Sequence, residues 1–402
     1  MKIKIILTNK SPISIRENRA DDVIYTLNYI PGHSFLGSLS AYYLKNNPVD
    51  ERFQDFFVNG RVKYSPLYPS NQIIYNESSL EKRITDSESL TLPIPKTAFT
   101  CKRWPGFKIP GEKNEQHGVR DRLYEWTLFR LTSDNELKPL KSTSKCCFNG
   151  CKEEVTPIEG FYKIGVDYKE ISSRKVTTQI SMHTGINRST GTVSPGILYS
   201  IESIQEDHQF TGLIEVEDKL VEDFRKFLYQ AELRIGNKKT SGQGYCVIND
   251  LPEYHGEDIQ KFRERLLKFD SEFKKTAADH GLEISDFYFS IDIFSDAIQM
   301  NDLLNYNIGF EDLIKNDFIT DSKLIYENVS PFKVMGWNNT IKLPKQTEWA
   351  TEKGSIAMVQ IPDLNDEVVE KLYNLEQTGI GIRRIEGFGI IRISDQFHWE
   401  VR

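Results

Sequence analysis

Two stretches of this chain combine glycine with adjacent cations in a way suited to holding phosphate. Arg234-Ile-Gly236-Asn-Lys238-Lys239-Thr-Ser-Gly242-Gln-Gly244 lies mid-chain, and Gly379-Ile-Gly381-Ile-Arg383-Arg384-Ile-Glu386-Gly387-Phe388-Gly389 lies near the end. A loop without Cβ atoms lets backbone N–H groups approach an anion, and each copy adds a pair of cations: Lys238 with Lys239, Arg383 with Arg384. Gly242, Gly244, Gly387 and Gly389 are the positions expected to permit that approach. A single stretch of this kind reads as a surface turn. Two of them, each placed after an amphipathic helical pattern and before a strand-like run, point to a repeated site. Dinucleotide-binding and P-loop motifs run strand, glycines, helix, with phosphate on the helix N-terminus. Here the order is helix, glycines, strand, which excludes both.

A second group of chemistry-bearing residues is Cys101, His117, Cys146, Cys147 and Cys151. Zinc takes four sulfur or nitrogen ligands in a tetrahedron, and knuckles supply two of them from a short Cys-to-Cys turn. Cys147 and Cys151 enclose such a turn, containing Asn149-Gly150. Cys101 and His117 complete a three-cysteine, one-histidine set, with Cys146 as the alternative ligand. Five cysteines, an odd number, in a chain that opens without a signal-type apolar region favour reduced thiols or a metal over a disulfide framework. His33, at the start of a predicted helix, is the one candidate general acid or base; a capping or packing role has the stronger prior. No zinc-protease, nucleophile-elbow or paired-carboxylate motif stands out. Asp292 and Asp296 read either as exposed or as ligands for a divalent ion.

The elements that must position these groups follow from periodicity. Ile3, Ile5 and Leu7 alternate with Lys2 and Lys4 as in a half-buried strand. Pro31-Gly32 opens a helix with Phe35, Leu36, Leu39 and Tyr43 on one face and Gly37, Ser38, Ser40 and Ala41 as a small-residue side. Strand-like runs follow at 174–181, 198–204 and 210–216. Then come a helix with Leu220, Phe224, Phe227 and Leu228, the first glycine loop, and a strand from Tyr245. Residues 66–170, punctuated by prolines and holding four of the cysteines, read as an irregular insertion. Without it the order is that of a ferredoxin-like domain. After a charged helical stretch, an alternating strand at 287–293, a strand at 355–361, a helix at 365–376, the second loop and a last strand repeat the plan. The expected fold is α+β: two ferredoxin-like, RRM-like domains in tandem, 1–250 with the cysteine-bearing insertion 66–170, then a helical linker 251–283, then 284–402.

Composition sets bounds on partners. The 402 residues carry a net charge of -7, which argues against non-specific nucleic-acid binding through bulk electrostatics. The basic pairs are local, and acid concentrates at 202–223 and 363–370, so a positive groove on an acidic body is compatible with the sequence. No run of about eighteen apolar residues occurs, so no membrane span is expected and a cytoplasmic location is the default.

Four stretches resemble a known family. Ile30-Pro31-Gly32-His33-Ser34-Phe35-Leu36-Gly37-Ser38-Leu39 is similar to the helix opening of the RAMP superfamily of CRISPR effector proteins, and the two glycine stretches are similar to its glycine-rich loops. Val334-Met335-Gly336-Trp337-Asn338, Leu343-Pro344-Lys345 and Gly354-Ser355-Ile356 resemble the series that precedes the last helix. The doubled length, the cysteine-bearing insertion and the stretch from His183 through Arg188 to Gly191 resemble the large double-RAMP subunit of type III-D effector complexes, the Csx-ten kind. The resemblance implies a non-catalytic, RNA-binding subunit that holds the 5′ repeat-derived handle of the CRISPR RNA and joins backbone RAMP subunits to the large signalling subunit in antiviral defence. It also implies one structural zinc, and makes Arg188 a further contact to sugar or phosphate. Two departures stand out: Asn237-Lys238-Lys239 where arginine is usual, and His33 where a small residue is commoner. Two other readings stay open. One is a metal-independent endoribonuclease of the same superfamily acting on repeat RNA through His33. The other is a ferredoxin-like structural or regulatory protein that binds no nucleic acid.

Overall fold

The computed structural model describes all residues except 18–22, 73–89, 109–115, 133–144, 147, 149, 165–170, 187–188, 191, 316–318, 339–342 and 402. They divide into two compact units. Unit 1 comprises Met1–Thr91, Arg174–His255 and Ile385–Gly387; unit 2 comprises Leu92–Ser173, Gly256–Arg384 and Phe388–Arg402. Segment 92–173 thus belongs to unit 2, although in the chain it lies between parts of unit 1. Among the described residues no helix is long and apolar enough to cross a membrane.

In unit 1, β1 (Lys2–Asn9) leads to α1 (Gly32–Asn46), α2 (Glu51–Phe57), β2 (Val62–Tyr64), β3 (His208–Val216), α3 (Val221–Gln230) and β4 (Tyr245–Asp250). The sheet runs β4-β1-β3-β2, and β1 is antiparallel to both neighbours. This is the strand order of a ferredoxin-like fold. Ile3, Ile5 and Leu7 are fully buried and share a core with Phe35 and Leu39 of α1, Phe56 of α2, and Phe224 and Leu228 of α3. Aromatic rings knit the helices together, Phe56 meeting Phe224 edge-on at 4.9 Å. The small-residue side of α1 has a defined use. Ser38 Oγ donates to the Arg234 carbonyl at 3.0 Å and accepts from the Arg234 N–H at 3.1 Å, which ties α1 to the entry of the first glycine loop. A long antiparallel hairpin, Thr178–Ile186 with Val193–Ile204, completes the unit.

In unit 2, α4 (Ile259–Asp279) precedes β5 (Phe287–Ile293), β6 (Lys323–Asn328), β7 (Ile356–Ile361), α5 (Asp366–Thr378) and β8 (Ile391–Ile393). The sheet order β6-β7-β5-β8 matches that of unit 1. The alternation of β5 predicts one wet face, yet all seven of its residues are buried. Two cores explain this. Phe262 and Leu266 of α4 pack with Phe289, Ile291 and Leu372, while Phe269 and Phe273 of the same helix pack with Tyr288, Met358 and Leu123 and Leu128 of the helix Leu123–Thr132. Within 92–173 the described residues form short strands and this one helix, with prolines at strand ends such as Pro93 and Pro157.

Burial of both faces changes the reading of the acidic residues. Asp292 and Asp296 are 3% and 6% exposed, so surface exposure does not account for them. Asp296 accepts the Lys353 N–H at 2.9 Å. Asp292 accepts Ser290 Oγ at 2.7 Å and faces His398 Nε2 at 2.8 Å, while His398 Nδ1 faces Asp121 at 2.8 Å. A fully buried imidazole between two carboxylates carries a proton. Burial alone would lower its pKa, but the charges and hydrogen bonds of Asp292 and Asp121 raise it well above the ordinary value.

Candidate nucleic-acid interface and metal centre

Each glycine loop lies between the helix that follows the third strand of a ferredoxin-like sheet and the fourth strand, α3 and β4 in one unit, α5 and β8 in the other. The two are copies in backbone. Lys238 and Arg383 are both left-handed, with φ of 55° and 58°. One turn of 3-10 helix follows each, Lys239–Ser241 and Arg384–Glu386. Ile235 N–H donates to the Gly244 carbonyl at 2.8 Å, as Ile380 does to Gly389 at 2.9 Å. Gly244 N–H donates to the Pro12 carbonyl at 2.9 Å, as Gly389 does to Asp296 at 3.0 Å. Even the hydroxyl that receives the following N–H is repeated: Ser11 Oγ for Tyr245 and Ser295 Oγ for Ile390, both at 2.8 Å.

The glycines divide by task. Gly242 has open space where a Cβ would stand, whereas a Cβ at Gly244, Gly387 or Gly389 would collide with the carbonyl oxygen of Ile235, Tyr64 or Ile380. The last three are therefore glycine because the loop closes on protein backbone, a reason unrelated to a ligand. Gly389→Ala should lower stability by about 1–3 kcal/mol or more, because a strained left-handed φ is added to the collision. Gly242→Ala carries only the φ penalty, about 1 kcal/mol. Denaturant midpoints of the two variants check the ranking.

The cations diverge where the backbone does not. In the first loop Lys238 Nζ lies 3.2 Å from the Tyr199 hydroxyl and 5.3 Å from the centre of its ring. Tyr199 stands opposite His183 across the hairpin, their rings stacked at 5.4 Å. Arg234 covers the Tyr245 ring at 5.1 Å, and Lys239 is exposed. In the second loop Arg383 is paired with Glu348 and lies 4.8 Å over Phe388, while exposed Arg384 donates to the Thr378 carbonyl at 3.3 Å. Phe388 is a core residue beside Ile298, Val334 and Ala350 and anchors its loop. Arg188 lies outside the described residues. His33 is a half-buried residue of the first turn of α1.

Sequence reading did not single out Tyr199 or Tyr245. Tyr245 directly follows the glycine stretch and was legible as a possible partner; the approach of Tyr199 to Lys238 depends on hairpin register, which no local pattern carries.

In unit 2, Cys101, His117, Cys146 and Cys151 bring their ligand atoms within 4.8 Å of one another. Cys147, the expected turn ligand, lies outside the described residues, and Cys146 takes the fourth place. The donor chemistry suits a metal that prefers sulfur and imidazole. Burial disfavours the Cys101 thiolate, but N–H groups of Trp104 and Arg103 and the thiols of Cys146 and Cys151 outweigh it, so its pKa is lowered. Cys146 is pushed the other way, to about 11, first by burial. Cys101 is thus the easier of the two to ionise, and Cys146 would give up its proton when a cation binds in its place.

Chains of two cryo-EM structures of Type III-B Cmr-beta bound to cognate target RNA match this chain. The one that also holds AMPPnP has 12% identity over 89% of this chain and 86% of that one, with a TM-score of 0.39. The other has 11% identity over 97% and 96%, with a TM-score of 0.41. A chain of a Cas6 product complex has 10% identity over 48% of this chain and 81% of that one, with a TM-score of 0.29. No curated protein sequence matches. The sequence pattern of the RAMP superfamily matches residues 7–247, more than half of the chain, and the chain belongs to the RAMP superfamily.

Proposed function

We propose that this protein is a non-catalytic, RNA-binding subunit of a type III CRISPR effector complex, holding the 5′ repeat-derived handle of the CRISPR RNA beside backbone RAMP subunits and the large signalling subunit. Membership of the superfamily supports the RNA partner, and the sequence resemblance supports the type III-D assignment and a cytoplasmic place of action. The observation that carries the reading is the doubled loop with a long cation in left-handed backbone at Lys238 and Arg383. Glycine would hold that conformation at lower cost, so retaining a cation there in both copies points to its charge or length being used. Lys238, Lys239 and Arg234 are the main phosphate contacts of the first loop and Arg384 that of the second, since Arg383 is already paired. The four-ligand cluster holds one structural zinc, which would order the proline-rich segment.

The test is binding of the purified chain to its repeat RNA over a salt series, with the products run on a gel. The Lys238→Ala/Lys239→Ala variant should bind at least about tenfold more weakly near physiological salt, with a salt slope reduced by about 1.4–1.8. Intact RNA and a reduced slope support the clamp. Cleaved RNA that becomes intact in His33→Ala would replace it with the endoribonuclease reading. Salt-independent or absent binding would favour the structural protein.

A further inference from the structure

We infer that the metal knuckle of unit 2 is itself a contact site for single-stranded RNA, in addition to the glycine loops; this rests on the reading of the chain as an RNA binder. The ligand cluster accounts for its four donors but not for what surrounds them. Phe148 lies between Cys146 and Cys151 and is 40% exposed, so part of its ring is open to solvent. Its ring is stacked on the imidazole of His117 at 4.2 Å and 12°, and Lys108 Nζ stands 4.9 Å from its centre. Trp104, three residues after Cys101 and half-buried, has the Arg103 guanidinium 5.3 Å from its ring.

Both rings are presented by the metal ligands. His117 N–H donates to the Trp104 carbonyl at 3.2 Å, and Cys151 N–H donates to the Phe148 carbonyl at 2.9 Å. A metal that draws the four donors together therefore sets the positions of Trp104 and Phe148. Around them, residues 101–108 and 145–154 hold Lys102, Arg103, Lys108, Lys145 and Lys152 against Glu153 and Glu154, a local positive excess on a chain of net charge -7. The two carboxylates reach only exposed cations, Glu153 at 3.5 Å from Arg103 and Glu154 at 3.8 Å from Lys102. Such exposed pairs contribute little and exchange readily for phosphate.

Aromatic faces interleaved with cations are the chemistry of single-strand binding: the ring stacks on a base, the cation takes the neighbouring phosphate, and sequence is tolerated because every base has a π-face. A protein partner would call for broad exposed aliphatic surface at the rings; among the described exposed neighbours only Pro105 is aliphatic, and apart from Gly150 the rest are charged. The site would accept unpaired RNA and discriminate against duplex, whose bases cannot reach the rings.

The experiment uses the full chain loaded with zinc and a fluorescein-labelled oligouridylate, read by anisotropy and by photo-crosslinking with peptide mapping. Crosslinks are expected in 101–108 or 145–152, with binding weakened about fivefold to a hundredfold in Trp104→Ala/Phe148→Ala. Chelation should produce the same loss, and zinc should reverse it. If the aromatic variant fails to retain zinc, Lys102→Ala/Arg103→Ala/Lys108→Ala, which leaves every ligand in place, takes over the test and should also weaken binding. Crosslinks confined to the glycine loops, with both variants at wild-type affinity, would overturn this inference and leave the loop reading standing. Absence of binding by the wild-type chain would overturn both. Capture of a protein partner by the knuckle without RNA would also overturn it.

Discussion

Replacing His398 by alanine should destabilise unit 2 by about 3–5 kcal/mol, because it leaves Asp121 and Asp292 buried without their shared counter-ion. Both carboxylates lie 2.8 Å from the ring, and His398 is only 1% exposed. Through it the C-terminal turn Phe397–Glu400 is fastened to the strand Val119–Asp121 and to the centre of the sheet at β5. His398→Gln, which can keep a hydrogen bond but not the charge, should fall between the alanine variant and the wild type.

The pH dependence has a defined sign. The folded-state pKa of His398 is raised, so its contribution is complete below the unfolded value near ~6.5 and is lost as pH rises through the folded value. The difference between wild type and His398→Ala should therefore be widest below about 6.5 and shrink as pH rises above it. Denaturant midpoints across pH, with amide exchange in 119–121 and 287–293, measure this. An alanine variant with the wild-type midpoint at neutral pH would show that the triad is not a fastening.

The second large effect concerns the cysteines. Cys146→Ser should abolish stoichiometric zinc binding, weakening it by about a hundredfold or more, whereas Cys147→Ser should retain it, because Cys146 is the residue that meets Cys101, His117 and Cys151. The Cys101 and Cys151 sulfurs are already 4.0 Å apart, and Cys146 Sγ lies 3.4 Å from His117 Nδ1. Zinc content by elemental analysis decides between the two cysteines. Loading should fall as pH drops, since thiols and imidazole must give up protons to bind. Loss of zinc in Cys147→Ser with retention in Cys146→Ser would restore the ligand set expected from turn spacing.

Ligand identity was only partly legible: a spacing rule sees two adjacent cysteines as interchangeable, whereas the folded chain is what brings the Cys146 sulfur to Cys101, His117 and Cys151. Cys101 and His117 were legible by residue type. The glycine loops were legible as a repeat, since both the residue types and the neighbouring periodicities recur. The duties of Gly244, Gly387 and Gly389 were not, because the carbonyl groups they accommodate come from Ile235, Tyr64 and Ile380.

The sequence by itself determined the α+β class, the repeated helix-loop-strand and the superfamily, because hydrophobic period, turn glycines and motif order are local properties that survive without neighbours. Tertiary structure alone decided that β5 is buried on both faces, that Asp292 serves an imidazolium, that Arg383 is spoken for by Glu348 while Arg384 is exposed, and that Cys146 joins the cluster. Each of these depends on which distant segment covers a given side chain, and burial and charge pairing across such sequence separations leave no periodic trace in the chain.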